Sequence, residues 1–291
     1  MPSGSDIVLG GIGDEAGCSL REQIAAHEAL GWRHIEMRSI DGVPLAEFTA
    51  ARRRRHAAVL RDSGLAVRAL CSRIGNWNST IAGDFEADRD ELLRLLDMAE
   101  LCGAKYIRIM SYPNDGRDDA AWSAEVVRRI RSLVDAAAES GRVLLIENCS
   151  GWAACSADRM LELVRLIDSP SLRVLFDIGN PVVHGYDGLT YLRAVAPFVA
   201  HVHVKDARAG TPDRAAEFCL PGRGDARLKD CVELLVGRGY VGMWSIEPHL
   251  ARIPHQGKTS TATDLAASYV AYGREVESLF VEIGGNVTCT L

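Results

Sequence analysis

Lysine is almost missing from this chain. There are four in 291 residues (Lys105, Lys205, Lys229 and Lys258), so arginine carries the positive charge. The balance is still acidic, at −6, and the basic footprint of a nucleic-acid binder is absent. No stretch approaches the roughly 18 uninterrupted apolar residues of a membrane span. The start, MPSGSDIVLGGIGDE, has no basic segment followed by a long apolar one, so no signal peptide is expected. The eight cysteines include no CxxC pair, which excludes a dense disulfide framework and a zinc ribbon. Free thiols in a reducing, cytoplasmic setting are the expectation. No GxGxxG follows the first apolar run, and GGIG at Gly10–Gly13 is too short for a phosphate loop.

What the chain does have is alternation. Short apolar runs near 7–13, 34–39, 66–72, 106–111, 142–149, 173–180, 199–206 and 242–249 read as strands. Longer amphipathic runs near 19–30, 45–63, 84–102, 119–140, 157–168, 189–195 and 228–238, with a last one at 263–279, read as helices. Several of those helices stop at glycine: Gly31, Gly64, Gly103, Gly141 and Gly239. Eight strand–helix units predict a single-domain (β/α)8 TIM barrel over residues 1–291, for which 47% apolar content is ample. The Gly-, Pro- and charge-rich stretch from Ala207 to Arg227 is expected to be a loop covering substrate.

Four successive runs end where a buried strand should stay apolar. Glu147 closes RVLLIEN, Asp177 closes LRVLFDIGN, His203 lies in VAHVHVKD and Glu247 closes MWSIEPH, at intervals of 30, 26 and 44 residues. In a barrel of this kind those strand ends meet at one mouth, where active sites lie. Three carboxylates and an imidazole there make a divalent cation site, suited to Mn²⁺, with Mg²⁺, Co²⁺, Fe²⁺ and Zn²⁺ alternatives. A metal that holds a carbonyl beside a hydroxyl lowers the cost of forming an enediolate. Glu147 and Glu247 are the candidates for passing a proton on and off carbon.

Period-two alternation puts His201, His203 and Lys205 on one face, and likewise Glu36 with Arg38. Together with Arg108 and Asn180 these are candidate substrate contacts, Arg108 alternatively serving as counter-ion to Glu36. His201 is read as a core histidine behind the ligands rather than as a ligand itself. Cys149 is read as a packing residue facing away from Glu147 or lying in the loop, and Arg52–Arg55 as a solvated helix face.

HVHVKDA, the PGRGD segment after it and the SIEPH strand resemble the xylose-isomerase-like TIM barrels, the sugar isomerase/epimerase superfamily. HIEMRSIDG, AELCGAKYIRIMS, LLIENCSG and LRVLFDIGNP extend the likeness over nearly the whole chain. The resemblance implies that Glu147, Asp177, His203 and Glu247 are the metal ligands, and Glu147 with Glu247 the acid/base pair of a ketose 3-epimerase. It implies a sugar- or cyclitol-like substrate and is compatible with a homodimer. Inosose and dehydroshikimate dehydratases share the first step, so a lyase is the alternative, and a non-catalytic sugar-binding barrel or partner subunit the third. Three features depart from the pattern: Asn180 in place of a histidine, Arg223 in PGRG, and Trp152 in CSGWAAC. Arg223 and Trp152 are therefore expected at the pocket, Arg223 as a bidentate partner for a carboxylate or phosphate.

Overall fold

The computed structural model describes residues 6–253, 258–259, 262–284 and 286–287. Eight strands run parallel: β1 (Asp6–Gly11), β2 (His34–Met37), β3 (Ala66–Cys71), β4 (Tyr106–Ser111), β5 (Val143–Gly151), β6 (Leu172–Asp177), β7 (Val199–Val204) and β8 (Met243–Ile246). Their order in the sheet is β1-β8-β7-β6-β5-β4-β3-β2, and a parallel bridge from Ile12 to Glu36 brings β1 to β2. The result is a nearly closed TIM barrel. The helices between strands are α1 (Leu20–Leu30), α2 (Ala50–Asp62), α3 (Phe85–Cys102), α4 (Asp119–Glu139), α5 (Ala157–Ile167), α6 (Gly188–Val195) and α7 (Leu228–Gly237). After β8, α8 (Ala262–Glu282) packs on α1. No helix among the described residues is long and apolar enough to cross a membrane.

Local chemistry explains the boundaries. Ser19 and Glu22 form a reciprocal capping box that starts α1. Asp84, Asp118 and Asp187 accept backbone N–H groups at the starts of α3, α4 and α6. The strands' outward residues, among them Ile107, Ile146, Val174 and Val202, are fully buried against Ile130, Leu133 and Leu163 of the helices. Each such aliphatic side chain contributes roughly 1.5–3 kcal/mol by leaving water. Inside the ring, Ala69, Leu145 and Leu175 form a small apolar floor. Leu145→Ala would open a hole there at a cost of about 2–5 kcal/mol.

Above that floor the inward positions change character. Leu145 is followed on its face by Glu147 and Cys149, Leu175 by Asp177, and His201 by His203 and Lys205.

Several expected boundaries shift for identifiable reasons. The second strand stops at Met37, because Ser39–Ile40 turns back on Val43–Pro44 through Asp41 and Gly42, both at positive φ. The run at 45–63 divides into a 3-10 turn and α2, which Thr49 caps. The sixth strand ends at Asp177, whose carboxylate starts an unexpected five-residue helix, Asn180–His184. The eighth ends at Ile246, so Glu247 and His249 lie just beyond it, His249 at φ 51°. The 207–227 loop contains a hairpin, Asp206–Arg208 with Glu217–Cys219. Asp206 ties the loop down by accepting N–H groups from Ala207, Gly224 and Ala226.

Candidate active site

Glu147, Asp177, His203 and Glu247 are all buried and come together at the C-terminal end of the barrel. One donor atom from each lies within 4.8 Å of the others. His203 Nδ1 is 3.5 Å from Glu247 Oε2 and 3.8 Å from both Glu147 Oε1 and Asp177 Oδ2. These are separations of atoms placed around a cation that each contacts at about 2.0–2.6 Å. His203 Nδ1 is buried without a hydrogen-bond partner, and Asp177 Oδ2 is met only by the Lys205 ammonium; a divalent ion would complete both. The quartet therefore fits a divalent ion.

Each donor is held from behind. His203 turns Nε2 to the Glu36 carboxylate, 3.1 Å away, which also faces His201 Nε2 at 2.9 Å and accepts from Ser245 Oγ at 2.7 Å. A carboxylate on one imidazole nitrogen fixes the ring so that the other faces the site. Asp177 Oδ1 accepts N–H groups from Gly179 and Asn180, each at 2.8 Å, leaving Oδ2 turned inward. Glu147 receives Arg108 at 3.0 Å and Asn180 Nδ2 at 3.2 Å. Arg38 donates to Glu247 at 2.9 Å while also pairing with Asp14 and Glu15. Lys205 Nζ lies 2.9 Å from Asp177 Oδ2 and contacts Glu247 Oε2 as well.

The electrostatics follow from crowding. Burial works against the charged form of Glu36, but the His203 and His201 rings hold its carboxyl well below the usual range. Burial likewise opposes a charged His203, and Glu36 and Glu247 outweigh it, raising its pKa well above that of ordinary imidazole. Asp177 is pushed up by burial and by Glu247 and Glu147, against the pull of Lys205. Glu247 is held low despite burial, by Lys205 and His249. Two acids of one cluster moved in opposite directions is the signature of like charges sharing a site.

A cavity of about 310 Å³ opens above the quartet, near the low end of small-molecule sites. Arg38, Arg108, Glu147, Asn180, Lys205 and Glu247 line it. Four expected positions turn out otherwise. Glu36 and His201 lie fully buried beneath His203 and do not line the cavity. Trp152 is buried outside the ring, near Arg159 of α5, because Gly151 at φ 98° sends the chain across Ser111. Arg223 is exposed and does not line the cavity either. Arg108 is counter-ion to Glu147, not to Glu36. Cys149, expected to face away, lines the same cavity as Glu147, as two-residue alternation requires. Burial and Glu147 push its thiol well above the usual cysteine range, which disfavours the thiolate.

Sequence reading missed Asp14, Glu15, Trp77 and Phe218, which lie in connections without periodicity. The only signal for the first two was an acidic pair after an apolar run. His249 Nδ1 lies 2.7 Å from Glu15 Oε1. Two other groupings, Glu36–His201–His203 and Glu15–Glu247–His249, also bring ligand atoms together. Their carboxylates are already engaged by the imidazoles, however.

A family model described as the xylose isomerase-like TIM barrel matches residues 24–268, and the chain belongs to that family. A curated relative, inosose dehydratase of Geobacillus thermodenitrificans, is 27% identical over 131 residues, 40% of this chain and 44% of the relative. Fructoselysine 3-epimerase of Escherichia coli O157:H7 is 24% identical over 169 residues, 54% of this chain and 58% of the relative. The chain thus spans about half the length of the curated relatives it matches. Among solved structures, a xylose isomerase-like TIM barrel protein from Mycobacterium smegmatis in complex with magnesium superposes with a TM-score of 0.67. It is 18% identical, over 94% of this chain and 97% of that one.

Proposed function

We propose that this chain is a divalent-metal-dependent isomerase or epimerase of a small, sugar- or cyclitol-like polyhydroxy carbonyl compound, acting by proton transfer at the carbon beside the carbonyl. The observation that carries the reading is the placement of Glu147 and Glu247. Both belong to the cation-ready quartet, both line the cavity, and each has its own guanidinium behind it. Mn²⁺ is the first ion to test, with Mg²⁺, Co²⁺, Fe²⁺ and Zn²⁺ after it, and a homodimer is the assembly to test.

A bound divalent ion supplies Lewis-acid polarisation of a carbonyl and its neighbouring hydroxyl. The rest falls to side chains. One of Glu147 and Glu247 removes the proton from carbon, and the other returns one to the opposite face or the adjacent carbon. Arg108 and Arg38 aim the two carboxylates, each through a bond of 3.0 Å or less. Asn180 reaches Glu147 Oε1 and faces the cavity, where its amide can orient a substrate hydroxyl. Burial of both carboxylates keeps bulk water from competing for the proton.

One arrangement favours a second reading, dehydration. His249 lines the cavity with Nδ1 turned to Glu15, and its Nε2 is 3.7 Å from Glu247 Oε1. An imidazole so oriented can protonate a departing hydroxyl, and a matched relative is named inosose dehydratase. The test is carbon-bound deuterium uptake in D₂O by Mn²⁺-loaded protein from a panel of ketoses, inososes and 3-dehydroshikimate, with Glu247→Gln as control. Exchange only with metal and only in wild type supports both enzymatic readings. An epimerised or a dehydrated product chooses between them. A preparation that takes up no divalent ion on soaking would favour the non-catalytic barrel.

A further inference from the structure

The cavity has two zones of opposite chemistry. Its floor is charged; its rim is apolar, contributed by four separate connections. Trp77 comes from the loop after β3, Met110 from β4, Val183 from the five-residue helix after β6, and Phe218 from the hairpin after β7. Trp77 is 41% exposed and Val183 37%, so two of the seven exposed large apolar side chains among the described residues sit at this one rim. Exposed apolar surface gathered around a polar pocket marks a recognition surface. The rim is also built. Gly75 and Ile74 accept N–H groups from Tyr112 and Met110, and Asn76 Oδ1 accepts from Asn78 N, fixing the Trp77 turn against β4. The Phe218 ring lies 4.9 Å from that of His249, edge-on, and 5.5 Å from Lys205 Nζ.

The floor argues against an anionic substrate. Glu147 and Glu247 line it, with the Asp177 carboxylate beside them. Against them stand Arg38, Arg108 and Lys205, and each is already within 3.0 Å of a carboxylate. A phosphate or carboxylate on the substrate would find every lining Arg and Lys among the described residues already paired with a carboxylate. Arg223, the side chain expected to receive such a group, does not line the cavity.

Building on the isomerase/epimerase reading, we propose that the substrate is a neutral, non-phosphorylated polyhydroxy carbonyl compound bearing an apolar substituent, such as an aryl or long alkyl glycoside with one ring carbon oxidised to a ketone. The hydroxylated core meets the charged floor, and the substituent stacks between Trp77, Phe218 and Val183. Aromatic side chains favour such packing through burial and ring–ring contact.

The proposal is tested by binding to the Mn²⁺-loaded full chain, followed by calorimetry. The probes are methyl and phenyl 3-keto-β-D-glucoside, glucose and glucose 6-phosphate; protein variants are wild type, Trp77→Ala and Phe218→Ala. The expected result is phenyl glucoside at least about tenfold tighter than methyl, a preference one more buried ring can supply. Trp77→Ala, at an exposed position that leaves the core packed, should erase most of that preference, and Phe218→Ala part of it. Glucose 6-phosphate should bind at least about tenfold more weakly than glucose. Equal binding of the two glucosides, tighter binding of the phosphate, or no binding of any probe would overturn the proposal. Manganese uptake in the same titrations is read separately, so failure of the metal site and failure of the rim are told apart.

Discussion

Strands β5 to β8 end in donor groups (Glu147, Asp177, His203 and Glu247), whereas the β1–β4 half ends in groups that hold those donors in place. Arg108 of β4 braces Glu147, Arg38 after β2 braces Glu247, and Glu36 of β2 fixes the His203 ring. One half thus gathers the four ligand atoms at one point, and the other spends its polar atoms on holding them. A barrel makes this division possible, because side chains from opposite strands meet across an interior only a few residues deep. It predicts different consequences for the same kind of substitution in the two halves.

The largest effect should come from a donor. Asp177→Asn should weaken Mn²⁺ binding by at least about a thousandfold and abolish turnover, measured by metal titration and deuterium exchange. The fold should persist, because the amide oxygen can still accept the N–H groups of Gly179 and Asn180. Loss of a brace should read out as stability instead. Arg108→Met leaves Glu147 buried beside Asn180 without a guanidinium and should cost about 3–5 kcal/mol in urea unfolding of the metal-free protein. Added Mn²⁺ should recover part of that loss; an unchanged midpoint would show that Arg108 is no brace. Glu36→Gln tests the division most sharply, since it touches no donor atom of the quartet directly lining the cavity. It should lower metal affinity by about 10–100-fold through the His203 ring alone. An unaltered affinity would make Glu36 a core residue.

The smallest effect lies outside both halves. Asp88 of α3 has its pKa raised to about 6, by burial first, against the Tyr112 hydroxyl bonded to it. Its stabilising contribution is present in full below the unfolded value near 3.8 and is lost as pH rises through about 6. Asp88→Asn should therefore match wild type near pH 4 and exceed it above pH 7, by about 1 kcal/mol once solvent screening is allowed for. Identical stability profiles from pH 4 to 8 would refute it.

The donor half was legible in the sequence because each donor interrupts an apolar run at a place where a buried strand has no use for charge. The same reasoning located all eight strands. The bracing half was only partly legible, since bracing depends on which inward residues of neighbouring strands share a layer. Arg108 illustrates this: one strand over and one layer up, it meets Glu147 instead of Glu36. Asp14 and Glu15 sit in the 3-10 turn Gly13–Glu15, which no periodicity marks. Trp152 was misplaced because a single positive-φ glycine before it turns the chain out of the barrel. The 207–227 loop was visible as a loop, but the hairpin that aims Phe218 at the cavity depends on Asp206 collecting the amide of Ala207 and the distant amides of Gly224 and Ala226.

The central claim is that the four strand-end groups form one divalent cation site. Its most direct test is a crystal of the full chain soaked in Mn²⁺, with diffraction recorded at the manganese absorption edge. The account predicts one anomalous peak per chain, in contact with Glu147, Asp177, His203 and Glu247, with Lys205 Nζ withdrawn from Asp177 Oδ2. No peak, or a peak at the Glu15–His249 pair with Lys205 still seated between Asp177 and Glu247, would contradict it.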